Sequence, residues 1–468
     1  MEVIYIILKK TVLSRYFIYI KIYMCGIYAI YNKKSEKNTM ELINGMKRLQ
    51  HRGRDGFGVV RYSRKMGYQD YREKGEVKDC DEEEKEKKSK ILLGHLRYKT
   101  SNENSIQGIL NGLQPLKGEI RTSTIYLCHN GNIPKVNGHD TLYIMNYLKK
   151  LKWRQMENKV VEMMNMIPGA YSIVFIYRKA MYIMRDRYGV RPLCIGEDDK
   201  SWYVSSESSA LKEGVYKRDV KAGEIIKIDE NGMDTIYQHD QTKEGLCAFE
   251  LIYFMKNTSF VDGYNVRNVR KWLGKKLAEN DKGLIGRAIN WNDDYIVIGV
   301  PSSGIQAAKS YAKTMGYEYK QLIMKKEEAG RTFILMNNET RIKACKKKFS
   351  YNKEELKDKK VILVDDTIVR GTVMTSLVDN LRDCEVKEIH VRIPAPPVID
   401  ICELGIAIRE KGELIMNEKS VDEVRKELGV DSLLYLSLDD LKEIFPKDSY
   451  SQCFGGGIFN DIKEWTPC

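Results

Sequence analysis

The chain has 468 residues, enough for two or three domains, and its 43% hydrophobic and 31% charged residues are the balance of a globular protein with no run approaching the roughly 18 apolar residues of a membrane span. Its net charge is +13, of which +10 remains once the first 23 residues (Lys9, Lys10, Arg15 and Lys21 against Glu2) are set aside, a balance that suits nucleic acid or a small molecule bearing several phosphates. Ten cysteines with no paired framework point to a reducing compartment.

Residues 1–24 are apolar but broken by Lys and Arg, and they lack the continuous core and small-residue cleavage site of a signal peptide. Three readings stay open: a propeptide, a targeting segment, or translated sequence upstream of a start at Met24. The third is favoured, because a Met followed by a small residue is readily trimmed and would leave Cys25 with a free amine. Residues 25–240 then read as short alternating strands and Gly-rich turns, with "KDCDEEEKEKKSK" (78–90) a solvated loop. From about residue 250 the pattern becomes helix and parallel strand. "DYIVIGV" (294–300) and "KKVILVDD" (359–366) are continuous apolar runs that lead through turns toward helices, as buried parallel strands do.

Four pieces of the first domain are rich in groups that bind a small polar ligand: "CGIYAI" from 25, "HRGRDGFG" from 51, "GHLRYKT" from 94 and "HNGN" from 129. Singly, each reads as an inert buried thiol, a turn or a surface charge. In this order, with "GHDT" (138–141), "IPGAYSIVF" (167–175) and "RDRYGVRPL" (185–193), they resemble the glutamine amidotransferases whose nucleophile is an N-terminal cysteine. Hydrolysis of the glutamine side-chain amide needs a thiolate, a base and an oxyanion site. Six histidines are present and none is evidently placed as a partner of the thiol, so the α-amine of Cys25, with a pKa of roughly 8, is the best available base. The resemblance implies that Asn130 and the Gly131 N–H stabilise the oxyanion, that Arg97 pairs with the glutamine α-carboxylate and that Asp140 pairs with its α-amino group. Arg54 departs from the family's Gln and is assigned no chemistry.

The second domain supplies the acceptor. "VILVDDTIVRGT" (361–372) is an apolar strand, two acids at its C-terminal end, and a Gly- and Thr-containing turn before a helix; acids there also serve simply to cap turns. The full string resembles the phosphoribosyl pyrophosphate motif of type I phosphoribosyltransferases. By that resemblance Asp365 and Asp366 contact the ribose hydroxyls and a Mg2+ shell, while Thr367, Arg370, Gly371 and Thr372 cradle the 5-phosphate at a helix N-terminus. "VPSSG" (300–304) matches the pyrophosphate-side turn, with Ser303 near the metal and Ser302 replacing a common Asp. Residues 325–348 carry eight Lys and Arg against three Glu. That balance fits a solvated helix, yet Lys325, Arg331, Thr332 and Arg341 match the flexible loop that closes over phosphoribosyl pyrophosphate in the glutamine phosphoribosylpyrophosphate amidotransferases. Glu327 and Glu328 depart from that loop, and "GIAIRE" (405–410) departs from the family's Gly-Ile-Asp turn. The resemblance resumes in "CAFELIYF" (247–254), "VDGYNVRNVRKWLGKKLA" (261–278) and "SVDEVRKELGVDSLLYLSLDDL" (420–441).

The family resemblance therefore implies an α/β protein of two domains: an N-terminal-nucleophile αββα sandwich over 25–240 and a type I phosphoribosyltransferase parallel-sheet domain over 245–445, followed by a tail over 446–468. It implies an enzyme making 5-phosphoribosylamine from glutamine and phosphoribosyl pyrophosphate, the first committed step of purine synthesis, with Mg2+ as cofactor and ammonia passed along a sheltered path formed when the 325–348 loop orders. It further implies purine nucleotides as feedback inhibitors, a homo-oligomer, a cytoplasmic location, and no nucleic-acid or membrane partner. Two alternatives stand beside it. One is another amidotransferase, such as that making glucosamine phosphate, against which "VDDTIVRGT" argues; the other is a regulatory homologue that binds phosphoribosyl compounds without catalysis. One branch of the family holds a [4Fe-4S] cluster on four cysteines. Cys247, Cys402 and Cys453 stand at three of those positions but Tyr450 stands at the fourth, and a phenol is a poor substitute for a soft thiolate; Cys468 is a conceivable substitute only if the tail folds back over about fifteen residues, so no cluster is expected.

Overall fold

In the computed structural model the run Gly26–Asn32 is buried along its whole length, because it is a strand covered on both faces. The structure describes residues 24–34, 36–79, 87–98, 112–136, 138–150, 155–285, 295–326, 349–404, 410–445 and 449–467. The longer strands of the first unit are β1 (Gly26–Asn32), β2 (Gly56–Ser63), β3 (Gly67–Lys74), β4 (Ile91–Arg97), β5 (Leu116–Ile120), β6 (Ser123–Asn132), β7 (Ala170–Tyr177), β8 (Ala180–Arg185), β9 (Cys194–Glu197), β10 (Ser201–Ser205), β11 (Tyr216–Asp219), β12 (Glu224–Asp229) and β13 (Gly232–Gln238). They form two antiparallel sheets, ordered β11-β9-β10-β1-β4-β2-β3 and β13-β12-β8-β7-β6-β5. The period-two alternation of strand side chains divides β1 between two cores. Ile27, Ala29 and Tyr31 meet Val174, Ile176, Met181 and Ile183 of the second sheet. Tyr28 and Ile30 face the other way, onto Leu42, Ile43 and Met46 of helix α1 (Thr39–Arg48). Helices α2 (Asp140–Lys149) and α3 (Met156–Met166) cover the outer face of the second sheet through Ile144, Leu148, Val160 and Met163. The layers are thus helix, sheet, sheet, helix.

The second unit contains α4 (Val266–Ile285), β14 (Tyr295–Gly299), α5 (Ile305–Met315), β15 (Glu318–Tyr319), β16 (Ile323–Lys325), β17 (Phe349–Tyr351), β18 (Lys360–Val364), α6 (Thr372–Arg382), β19 (Glu388–Ile393), α7 (Val421–Leu428) and β20 (Ser432–Tyr435). A five-stranded sheet in the order β15-β14-β18-β19-β20 pairs in parallel throughout. The chain leaves β14 toward β15 on one side and leaves β18 toward β19 on the other. The strand order therefore reverses between two neighbours, which is where open parallel sheets form a crevice at their C-terminal ends.

The units interleave along the chain. The first comprises 24–269, 401–404 and 442–467; the second comprises 270–400 and 410–441. Residues 245–269 and the C-terminal tail consequently pack with the first unit, whereas the family resemblance implied a second domain from 245. Tertiary hydrogen bonds explain the difference: Arg185 forks onto Asp262 at 2.6 and 2.7 Å, and the Ala248 amide donates to the Tyr450 carbonyl at 3.0 Å. Among the described residues no helix is long and apolar enough to cross a membrane.

Candidate active sites

Cys25 immediately precedes β1, and β4 beside it ends at Arg97. Burial pushes the Cys25 thiol up. The Tyr98 main-chain amide and the Arg97 and Arg52 guanidinium groups act against that, and the Asp140 carboxylate adds to it. A raised thiol is protonated at neutral pH and needs a base. In this chain the Cys25 nitrogen is an amide carrying Met24, whose own N–H donates to the Arg52 carbonyl at 3.1 Å and whose thioether accepts from Arg191.

Strand β6 ends in His129, Asn130, Gly131 and Asn132. Asn130 is 1% exposed, yet its Nδ2 has no hydrogen-bond partner among the described residues. Buried donors are nearly always paired, so an orphan at a site is evidence of a missing ligand atom. Gly131 approaches β7 so closely that a Cβ there would lie 1.9 Å from the Ala170 carbonyl oxygen, which excludes any side chain. Asp140 opens α2 and lies 3.6 Å from His129 Nδ1. Burial alone would raise its carboxyl, but His129 and the amides of Thr141 and Ile133 hold it below its ordinary value, so it is an anion. The Gln114 carbonyl accepts from the His129 amide at 2.6 Å, and its amide donates to the Thr141 hydroxyl at 3.0 Å. His95, pushed down to about 3 chiefly by burial, is neutral and bonded to the His129 carbonyl. Cys25, Arg97 and Asp140 thus share one electrostatic neighbourhood, with Asn130 and Gly131 on the strand beside Asp140's partner.

Sequence reading missed the charges behind Cys25. Arg52 Nε donates to the Cys25 carbonyl at 3.1 Å, and its guanidinium pairs with Glu207 at 2.6 Å and Glu250 at 2.8 Å, all three side chains fully buried. His51, Lys256 and Ser259 also bond Glu207. A lone acid inside the apolar "CAFELIYF" was the available signal, since a buried charge needs a partner. Arg54 pairs at the surface with Glu76 at 3.2 Å, outside this network.

In the second unit, β14 and β18 pair from Tyr295 with Lys360 to Gly299 with Val364, so the turns after them emerge side by side. The Ser303 hydroxyl donates to Asp366, whose other oxygen accepts from Thr367 at 2.7 Å. Burial raises the Asp366 carboxyl, opposed by those hydroxyls. Gly371 takes φ +80° just before α6, a conformation that favours glycine, and a Cβ there would meet the Ile415 side chain at 2.3 Å. Arg370 is paired with Glu413 and Thr372 starts the helix, so main-chain amides face the end of the loop. Lys325 ends β16 and is exposed. Arg331, Thr332, Arg341, Glu327, Glu328 and the departures at 406–409 lie outside the described residues.

Asp365, Asp366 and Ser303 are hard oxygen donors too few for an all-protein cage, a set that suits Mg2+ shared with substrate phosphates. Cys247, Cys402 and Cys453 are buried around Tyr450, whose hydroxyl lies 3.9 Å from Cys402 Sγ and donates to Gln452. Among the described residues no three His, Cys, Asp or Glu side chains converge as metal ligands do. Three thiols and a committed phenol do not fit a four-thiolate cluster.

Residues 101–213 match the model of a glutamine amidotransferase domain and residues 267–395 that of a phosphoribosyl transferase domain. The chain is 32% identical to an amidophosphoribosyltransferase of Methanothermobacter thermautotrophicus, covering 90% of each. It is 33% identical to the chloroplastic amidophosphoribosyltransferase 2 of Arabidopsis thaliana, over 92% of this chain and 78% of that one. The solved structure of the allosteric regulatory enzyme of purine biosynthesis matches with a TM-score of 0.81 and 31% identity over 94% of this chain and 97% of that one. The glutamine phosphoribosylpyrophosphate amidotransferase of B. subtilis, complexed with ADP and GMP, matches with a TM-score of 0.79 and 30% identity over 92% and 95%. At 30–33% identity over most of both chains, these relationships establish that the chain belongs to the amidophosphoribosyltransferases.

Proposed function

We propose that this amidophosphoribosyltransferase divides its reaction between Cys25 in the first unit and the Asp365–Thr372 loop in the second. Removal of Met24 and all that precedes it turns the Cys25 amide into an amine able to take the thiol proton. The thiolate attacks the glutamine amide carbon, Asn130 Nδ2 and the Gly131 N–H meet the oxyanion, and ammonia leaves as the thioester forms. Water then releases glutamate. Arg97 holds the glutamine α-carboxylate and Asp140 the α-ammonium group. The buried Asn130 Nδ2, which has no partner among the described residues, carries this reading, because it is a donor already desolvated before a substrate arrives.

At the second site Asp365 and Asp366 orient the ribose hydroxyls, and Thr367 and the Arg370–Thr372 backbone hold the 5-phosphate. Lys325, Arg331 and Thr332 meet the pyrophosphate. Asp365, Asp366 and Ser303 would hold Mg2+, which when bound would supply charge neutralisation for the departing pyrophosphate. Ammonia attacks C1 of the ribose and yields 5-phosphoribosylamine. The B. subtilis relative's complex with ADP and GMP supports purine nucleotides as ligands here also; their role as feedback inhibitors, a cytoplasmic location and a homo-oligomer belong to the same proposal.

The test is pyrophosphate release by protein beginning at Cys25, with glutamine or with ammonium as nitrogen donor. Cys25→Ala is expected to lose the first activity and keep the second; equal loss with both donors would overturn the division into two sites.

A further inference from the structure

Among the described residues, β6 has a strand partner on only one side at its C-terminal end. β5 lies opposite residues 123–127 only, from Ile120 with Ser123 to Leu116 with Leu127. Residues 128–132 keep β7 on one side, from Cys128 with Val174 to Asn132 with Ala170. Two hydrogen bonds flank Asn130 and Gly131. One is Gln114 accepting from the His129 amide. The other runs from Asn132 Nδ2 to the Glu403 carbonyl at 2.6 Å.

The segment that receives Asn132 is itself held from behind. The Glu403 amide donates to Gln452 Oε1 at 3.1 Å, and the same oxygen accepts the Tyr450 hydroxyl. The adjacent Leu404 carbonyl accepts from Arg191. Tyr450 is 2% exposed and its main chain is bonded on both sides, from its amide to Leu246 and from Ala248 to its carbonyl. A continuous path therefore joins Tyr450, Gln452, Glu403 and Asn132 to the strand that bears Asn130. It passes through the cysteine-lined patch in which no cluster fits.

We propose that Tyr450 and Gln452 are positioning residues for the oxyanion strand, holding residues 402–404 as the brace on which Asn132 sets the end of β6. The inference rests on the reading of Asn130 and Gly131 as the oxyanion donors. Preorganised donors lose their value with displacements of a fraction of an ångström, so a brace on the end of this strand acts on the rate of glutamine use rather than on binding. A phenol and an amide supply the connection with neutral hydrogen bonds.

Gln452→Met removes the acceptor while keeping the volume, Gln452→Glu restores an acceptor, and Tyr450→Phe removes one donor alone. With glutamine, Gln452→Met is expected to lower kcat about tenfold with KM within about twofold, while ammonium-dependent turnover stays within about twofold. Gln452→Glu should recover most of the loss and Tyr450→Phe should show about a threefold decrease. A merely structural role would lower both activities together with the melting temperature, and that result, or unchanged glutamine turnover in Gln452→Met, overturns the proposal. If Gln452→Met does not fold, Tyr450→Phe decides alone: an unchanged kcat with glutamine rejects the brace. Asn130→Ala separates the two ideas. Normal kcat in Asn130→Ala means the oxyanion reading has failed, whereas a large loss there beside an unaffected Gln452→Met rejects only the brace.

Discussion

Replacing Asn130 by alanine should lower catalysis without a matching loss of stability, because the Nδ2 donor it removes has no partner among the described residues. Its Nδ2 is buried and unbonded among the described residues. An unsatisfied buried donor costs about 1–3 kcal/mol, so deleting it should leave the melting temperature unchanged or raise it. In catalysis one preorganised oxyanion donor is worth about 100- to 1000-fold in kcat, about 2.7–4 kcal/mol, and the Gly131 N–H remains to supply a partial site. The assay is initial-rate pyrophosphate release by Asn130→Ala with saturating glutamine and, separately, with ammonium, alongside a thermal melt. The expected outcome is a large loss of glutamine-dependent kcat, ammonium-dependent kcat within about twofold, and a melt no lower than that of the parent. Glutamine turnover within about threefold of the parent, or a destabilised protein losing both activities equally, would refute the reasoning.

Blocking removal of residues 1–24 should abolish glutamine-dependent turnover and spare the ammonium reaction, since an acylated nitrogen is no base; normal glutamine use by the intact chain would exclude the amine. Changing both Asp365 and Asp366 to Asn should eliminate both activities while leaving glutamine binding measurable by calorimetry, and near-parental synthesis would move the acceptor site elsewhere. Protein purified without oxygen should carry no stoichiometric iron or sulfide, because Tyr450 is committed to Gln452; about four irons per chain by elemental analysis would refute this. Asp219, pushed up to about 6 chiefly by burial and also by Asp262, against the pull of Arg185, binds its proton more tightly folded than unfolded and so costs stability as pH rises from about 4 to 6. Asp219→Asn, which keeps an acceptor for the Asp262 amide and the Tyr216 hydroxyl, should therefore stabilise the protein above pH 6 with a gain that fades toward pH 4; denaturant melts showing the opposite trend would reject the assignment.

Much of this molecule is legible in local pattern. The fully apolar "GIYAIY" and "VILV" announce strands covered on both faces, and both are buried throughout, apart from the half-exposed Lys360 that opens β18. The acid pair followed by a Gly-Thr turn announces a loop at a strand end, and the structure brings Ser303 to Asp366 there from 63 residues away. Ser420 with Glu423, and Gly429 after Leu428, bound α7 as a capping box and a left-handed C-terminal residue do elsewhere. In each case the determining interactions lie within a few residues or follow from a strand's two faces, so their record is local.

What the sequence by itself determined is therefore the inventory of chemical groups: the thiol, the Asn-Gly pair, the two acids, and the missing fourth cysteine. The tertiary structure alone decided which of these are held, and by what. Arg52 reaches Glu207 and Glu250 across 155 and 198 residues, and Asn132 reaches Glu403 across 271. Nothing in the local pattern around Asn132, Glu403 or Gln452 marks them as partners, because a hydrogen bond between distant segments leaves no periodicity in either. Only folding brings those segments together, and a polar group that loses water in the process must find its partner within the protein.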